Sequence, residues 1–178
     1  MRIVGGMLSG RTFDSVPGHR THPMAEKIRG AIFNALGDIE GLQVLDIYAG
    51  TGALSIEAIS RGAMSAIAVD ASPEAARTIK ENAEKLELSD QLQGIRAYFR
   101  AWSRRYQNVQ FDLVFADPPY DAVEPKELLL LPKHLKKGGL LVLSLPPRNG
   151  FRFAHTRQEL ILYKQYGDAE IFFYRQLQ

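Results

Sequence analysis

The chain contains no cysteine. That absence removes disulfide stapling, thiolate metal sites and a cysteine nucleophile together, and it suits a reducing, cytoplasmic compartment. Long apolar runs are missing as well. Nothing approaches the roughly 18 consecutive apolar residues of a membrane span. The opening Met-Arg-Ile-Val-Gly-Gly has no apolar signal segment, so neither secretion nor membrane insertion is expected. Low-complexity tracts, internal repeats and linkers are absent, tryptophan occurs once, at Trp102, and no metal site is expected. What is present is an ordinary globular composition, 46% hydrophobic and 24% charged over 178 residues, the size of one domain.

Neither sign of charge is in large excess, the net being +2, but the cations are unevenly placed. Arg2, Arg11, Arg20, Lys27 and Arg29 face only Asp14 and Glu26 between Met1 and Gly30, with His19 and His22 beside them. From Gln91 to Phe111, Arg96, Arg100, Arg104 and Arg105 occur with no acid at all. Clusters of this kind suit phosphates. Any single exposed arginine, however, is equally well explained as a solvated surface charge.

Apolar periodicity orders the rest. Ile28, Ile32, Phe33 and Leu36 recur at helical spacing over Met24 to Leu36, ahead of Gly37. Gln43 to Ile47 reads as a buried strand, followed by Ala49-Gly50-Thr51-Gly52 and a helix from Ala53 to Arg61. A second strand, Ala66 to Val69, ends at Asp70, and Ser72 and Pro73 suit the N-cap and first residue of a helix through Leu86. A weaker strand is expected near Gly94 to Phe99 and a clear one at Phe111 to Ala116. Glu124 to Leu135 reads as an irregular helix interrupted by Pro132. Lys136 to Gly139 reads as a turn, Leu140 to Leu145 as a strand, and Pro146 to Gly150 as an exposed loop. Leu160 to Tyr166 and Ala169 to Tyr174 flank Gly167-Asp168 as a hairpin. The alternation predicts a mostly parallel sheet closed by an antiparallel pair.

In such a sheet, ligands bind at the carboxyl ends of strands, where Asp46, the Ala49 to Gly52 turn, Asp70 and Asp117 all fall. Gly50 and Gly52 allow close backbone approach to a ligand. The spacing to Asp70 suits the ribose of a dinucleotide and of S-adenosylmethionine alike. The third glycine of a dinucleotide fingerprint is missing, and Asp46 beside the turn suits a cation, such as a sulfonium and an amino group, better than pyrophosphate.

Asp117-Pro118-Pro119-Tyr120 follows the fourth strand. The lone pair of an aromatic amine is delocalised into its ring. The Asp117 carboxylate and the Pro118 carbonyl, held by two stiff prolines, can accept from one NH2 and make that pair available, while Tyr120 stacks on the base. A base presented this way has to leave its helix. The bland alternative is a proline-stiffened turn with Tyr120 half buried, just as Asp70 before Ser-Pro can be only a turn residue.

With DIYAGTG at Asp46 to Gly52 and DPPY at Asp117 to Tyr120, the chain resembles class I S-adenosylmethionine methyltransferases acting on exocyclic amines. RIVGG at Arg2 to Gly6, Ser9-Gly10-Arg11, Thr21-His22-Pro23, the stretch from Lys27 to Asn34 and Asn82 extend the resemblance to the RsmD family over nearly the whole chain. The resemblance implies a Rossmann-like α/β fold, with a mostly parallel seven-stranded sheet, helices on both faces and a C-terminal hairpin. It implies one methyltransferase domain, 1–178, with 1–37 as a basic extension of hairpin or loop plus helix that contacts RNA. S-adenosylmethionine would be held by Asp46, Tyr48, Ala49, Gly50, Thr51, Gly52, Asp70, Ala71, Tyr98 and Phe99, and the target amine by Asp117, Pro118, Pro119 and Tyr120. Arg2, Arg11, Arg20, Thr21, His22 and Arg29 would grip the RNA. The implied substrate is a guanine amino group in 16S rRNA, free or in a small-subunit assembly intermediate, and the implied state a cytoplasmic monomer.

Two positions depart from the family pattern. His22 stands where arginine is usual, and Tyr98 where a polar side chain often reads adenine, which leaves that ring to backbone groups. Rival readings of the same motifs are an adenine-amine methyltransferase on DNA, a protein glutamine methyltransferase and a catalytically silent RNA-binding assembly factor. The first usually carries an added recognition module, the second usually has asparagine where this chain has Asp117, and the third has no need of an intact DPPY.

Overall fold

Five short apolar segments lie side by side as the parallel part of one sheet: β1 (Gln43–Ile47), β2 (Ser65–Asp70), β3 (Leu92–Arg96), β4 (Phe111–Ala116) and β5 (Leu135–Leu145). β6 (Gln158–Tyr166) and β7 (Ala169–Gln176) form the terminal hairpin, β7 pairing antiparallel with β5. The computed structural model describes residues 1–17, 26–121, 123–154 and 157–178. Strand order is β3-β2-β1-β4-β5-β7-β6, the expected mostly parallel seven-stranded sheet. The chain runs outward from β1 to β3 and then returns to β4 on the other side of β1. The crevice between β1 and β4 is therefore the topological switch point, where open α/β sheets bind their ligands.

Side-chain alternation sorts the core into two layers. Val44 points into a cluster with α1 (Glu26–Leu36), α2 (Ala53–Ser60) and α3 (Pro73–Lys85), through Ile32, Phe33, Ile56 and Ile79. Leu45 and Ile47 point the other way, toward α4 (Phe99–Arg105) and α5 (Pro125–Leu128), through Phe99, Trp102 and Leu128. Each such buried side chain contributes roughly 1.5–3 kcal/mol of transfer free energy. α3 starts as its sequence dictates, with the Ser72 hydroxyl accepting from the Ala75 amide at 3.2 Å and Pro73 in the first turn. The basic N-terminal segment closes a loop through a single bridge, Arg2 to Thr12, and buries Ile3 and Phe13 in the α1–α3 layer.

Three boundaries differ from those the sequence suggests. β3 occupies Leu92–Arg96, not Gly94 to Phe99, because Phe99 and Trp102 turn together into the core as the apolar face of α4. The irregular helix expected over Glu124 to Leu135 splits into α5 and a 3₁₀ turn, Leu131–His134, since Pro132 has no amide to continue an α-helix. Lys136 to Gly139 is not a turn before a strand but an irregularity inside β5. Phe111 pairs with Leu135 while Leu113 pairs with Leu140, so the intervening residues loop out opposite Asp112. Gly138 takes φ +79° there, and Lys136 Nζ pins the excursion to the Asp112 carboxylate at 2.9 Å.

Candidate active site

The loop after β1 forms the first half of the site. Asp46 is buried and accepts from the Ser55 hydroxyl (2.8 Å) and amide (3.2 Å) on α2. Burial pushes its carboxyl up to about 7, the charges of Asp117 and Asp70 adding to the rise. Beyond it the backbone doubles back. The amides of Tyr48 and Ala49 donate to the Val69 carbonyl at 3.0 and 3.2 Å, and Gly52 donates to Ala49 at 2.8 Å. Gly50 and Gly52 take φ +54° and +76°, conformations that favour glycine, and a Cβ at Gly50 would meet nothing within 4 Å. Tyr48 adopts φ +63° without being glycine, an uncommon backbone state of the kind concentrated at functional sites. Its hydroxyl donates to Glu127 of α5 at 2.8 Å, which ties the first loop to the segment that follows the second.

Asp70, at the end of β2, uses both oxygens on the backbone. One accepts from the Gly50 amide and the other from the Ser72 amide, each at 2.8 Å. It is thus the turn residue of the bland reading and also the brace of the glycine turn. The Asn82 side chain supports that turn from below, donating to the carbonyls of Thr51 (3.3 Å) and Asp14 (3.0 Å) while accepting from the Asp14 amide at 2.8 Å.

The loop after β4 forms the second half. The Asp117 amide lies 3.4 Å from the Ile47 carbonyl, so the two loops share a seam where the β1–β4 ladder ends. Asp117 is partly buried, Pro118 buried, and Pro119 and Tyr120 exposed. Burial pushes the Asp117 carboxyl up to about 6, while a hydrogen bond from Ser144 opposes the rise. Ser144, buried on β5, also lies 3.1 Å from the Tyr120 hydroxyl. Either hydroxyl of that pair can be the donor.

Asp46, Tyr48, the Ala49 to Gly52 turn, Asp70 and Asp117 to Tyr120 therefore meet at one rim. No lysine, arginine or histidine among the described residues pairs with Asp46, Asp70 or Asp117. Carboxylates held together without a counter-cation fit a positively charged ligand. Ala71 is partly buried beside Asp70. Tyr98 caps α4 and is 75% exposed.

Phe99 and Arg29 are both buried. The Phe99 ring meets the Tyr48 ring edge-on at 6.2 Å, so it supports the first loop from behind. Arg29 was expected to grip RNA but is fully buried. It pairs with Glu57 at 3.2 Å, donates to the Arg2 carbonyl and lies over the Phe13 ring. Glu57 also accepts from Arg61 (2.9 Å) and from the amides of Val4 (2.9 Å) and Gly5 (2.8 Å), which makes Arg29 part of the clasp holding the N-terminal loop to α2. Arg2 and Arg11 are exposed, Arg2 bonded to Glu26 at 3.0 Å and Arg11 to the Lys85 carbonyl at 3.3 Å. Arg20, Thr21 and His22 lie outside the described residues.

Ser55, Glu57, Glu127 and Ser144 belong to this machinery without having stood out in the sequence. A signal existed for Ser144, a lone hydroxyl in the otherwise apolar run Leu140 to Leu145.

Comparison with known proteins agrees with this geometry. The family model described as "Conserved hypothetical protein 95" matches residues 1–175. A Bacillus subtilis (strain 168) protein named "Putative rRNA methyltransferase YlbH" is 37% identical over 134 residues, 74% of this chain and 73% of that protein. The "Ribosomal RNA small subunit methyltransferase D" of Buchnera aphidicola subsp. Acyrthosiphon pisum is 32% identical over 148 residues, 80% of this chain and 76% of the relative. Among solved structures, "Putative methyltransferase yhhF from Escherichia coli" superposes with a TM-score of 0.86 at 26% identity, covering 99% of this chain and 98% of that one.

Proposed function

The chain belongs to the conserved hypothetical protein 95 family, and on that premise we propose that it methylates the exocyclic amino group of a guanine in small-subunit ribosomal RNA, using S-adenosylmethionine. The observation that carries the reading is the seam between β1 and β4. A glycine turn with a buried acid and an Asp-Pro-Pro-Tyr loop emerge there from hydrogen-bonded neighbours at the switch point. Ribosomal RNA as substrate draws its support from the relatives' names, and guanine from the N-terminal motif resemblance.

S-adenosylmethionine, when bound, supplies a methyl group on a sulfonium, an electrophile with its leaving group built in. Asp46 would face its positive charge, the Ala49 to Gly52 backbone its methionine portion, and Asp70 its ribose with the lone pairs left over from Gly50 and Ser72. Asp117 and the Pro118 carbonyl would accept the two N–H bonds of a flipped guanine amine, turning the nitrogen lone pair out of conjugation and toward the methyl group. Tyr120 would cover the face of the base, its tilt set by Ser144. As the new N–C bond forms at the expense of the sulfonium's bond to the methyl group, Asp117 would take the amine's departing proton and pass it to water. A carboxyl with its pKa near 6 serves as this acceptor at neutral pH.

A radiolabelled methyl-transfer assay offering naked small-subunit rRNA, assembled small subunits, duplex DNA and a glutamine-containing release-factor peptide tests the reading. Label is expected in rRNA in one of its two forms, on a guanine when the product is digested and weighed. Label found only in DNA or peptide overturns it.

A further inference from the structure

α4 presents two unlike faces. Inward, Phe99, Trp102 and Ser103 are buried, the Trp102 ring lies 4.9 Å from the His134 ring, and the Ser103 hydroxyl is 2.8 Å from His134 Nε2. The helix is thereby fixed to the body of the protein. Outward, Arg100, Arg104 and Arg105 are exposed, and Arg96 ends β3 just ahead of them. Ala101, Arg104 and Arg105 border an open depression of about 350 Å³.

These four cations fall within a stretch, Gln91 to Phe111, that contains no acid. Exposed α3 shows the usual arrangement, Arg77 with Glu81 at 4.0 Å and Lys80 with Glu84 at 3.8 Å. Arg96, Arg100, Arg104 and Arg105 form no ion pair among the described residues. Arg100 and Arg104 stand one helical turn apart on the same face, so their forks follow one another along a line. That line begins at the site. Phe99, next to Arg100, touches the Tyr48 ring of the cofactor turn.

We propose that the outer face of α4 is a docking surface for the phosphodiester backbone of the RNA substrate, holding the strand that flanks the target nucleotide. The proposal rests on the methyl-transfer reading above. A strand whose base is drawn into the Asp117 to Tyr120 pocket continues past the rim, and a row of exposed, unanswered arginines on a rigid helix is what positions a polyanion without reading its sequence. An RNA strand fits this face better than an acidic protein surface does, because the exposed aromatic beside the arginines, Tyr98, offers a flat ring on which an unpaired base can stack while the arginines hold its phosphates.

The test compares wild type, the double variant Arg100→Ala/Arg104→Ala, its lysine counterpart Arg100→Lys/Arg104→Lys, and Arg77→Ala/Lys80→Ala on α3. Binding of small-subunit rRNA is measured between about 50 and 200 mM salt, and methyl transfer at saturating cofactor. The α4 alanine variant is expected to flatten the log–log salt dependence of binding by about 1.4–1.8 and to raise the KM for RNA roughly tenfold. Its kcat and its Kd for S-adenosylmethionine stay at wild-type values. The lysine variant recovers most of the loss, and the α3 variant, equal in charge removed, behaves as wild type. An unchanged slope and KM in the α4 variant, or an equal loss in the α3 variant, overturns the α4 surface while leaving methyl transfer to RNA intact. A wild-type protein that labels only DNA or peptide overturns the functional reading and the surface with it.

Discussion

The Tyr120 hydroxyl lies 3.1 Å from Ser144 Oγ, and the same serine pulls the Asp117 carboxyl down against the rise that burial causes. One buried hydroxyl on β5 therefore bears on both the Tyr120 ring and the Asp117 carboxyl, the stacking face and the proton acceptor of the proposed transfer. Ser144→Ala removes a hydrogen bond that holds the Asp117 pKa down. The expected result is a kcat lower by roughly tenfold, with the acid limb of the kcat profile moved to higher pH. A pH–rate profile superimposable on that of wild type would show that Ser144 has no such role.

Asp117 is expected to be indispensable for transfer and nearly irrelevant to cofactor affinity. Asp117→Ala should lower kcat by about 10²–10⁴ while S-adenosylmethionine binding stays within an order of magnitude. In wild type the ionised form is the working one and its pKa is about 6, so activity falls as pH drops through that value, approaching tenfold per unit below it. Equal loss of binding and transfer in the variant would reassign the residue to the cofactor.

Asp46 makes binding and stability depend on pH in opposite senses. Its folded pKa, about 7, is raised above the unfolded value of 3.8, so its contribution to stability is fully present below about 4 and is lost as pH rises through 7. Asp46→Asn keeps an acceptor for Ser55 and removes the charge. The ligand-free variant should therefore melt above wild type, the gap opening from about pH 4 and levelling above about pH 7 at on the order of 5 °C. A cationic ligand favours the ionised acid, so cofactor binding in wild type releases a proton near pH 6, and affinity weakens as pH falls below 7. Calorimetry in buffers of different ionisation enthalpy measures that proton. Its absence, or wild-type cofactor affinity in the variant, removes Asp46 from the site.

Arg29 is expected to matter for folding and not for RNA. Arg29→Ala removes one of the two cations that hold the buried Glu57 carboxylate, together with the bond to the Arg2 carbonyl, and should cost about 1.5–3 kcal/mol in urea unfolding. Retained stability with a raised KM for RNA would return Arg29 to the substrate surface.

The sequence marked the rim of the site because glycine, proline and aspartate at strand ends have few reasons to be there, and Asp46, Gly50, Asp70 and Asp117 stand where those ends were expected. The parallel strands were legible for a related reason: Gln43–Ile47 and Phe111–Ala116 are continuous apolar runs that a two-sided sheet requires. What escaped was decided by packing at a distance. Arg29 and Glu57 are far apart in the chain, and nothing local distinguishes a buried arginine from an exposed one. Ser55 and Ser144 take their importance from the acids they face, Asp46 and Asp117, which arrive from other strands. The excursion at Gly138 keeps its place in β5 through Asp112, again a partner supplied by a different element.

The 3.4 Å contact between the Asp117 amide and the Ile47 carbonyl makes the sheet itself a gauge. Donor and acceptor are set apart by the spacing of two neighbouring strands, about 4.8 Å, a dimension that side-chain changes hardly alter. The outer surface is thus free to vary while the distance between the two loops of the rim stays the same.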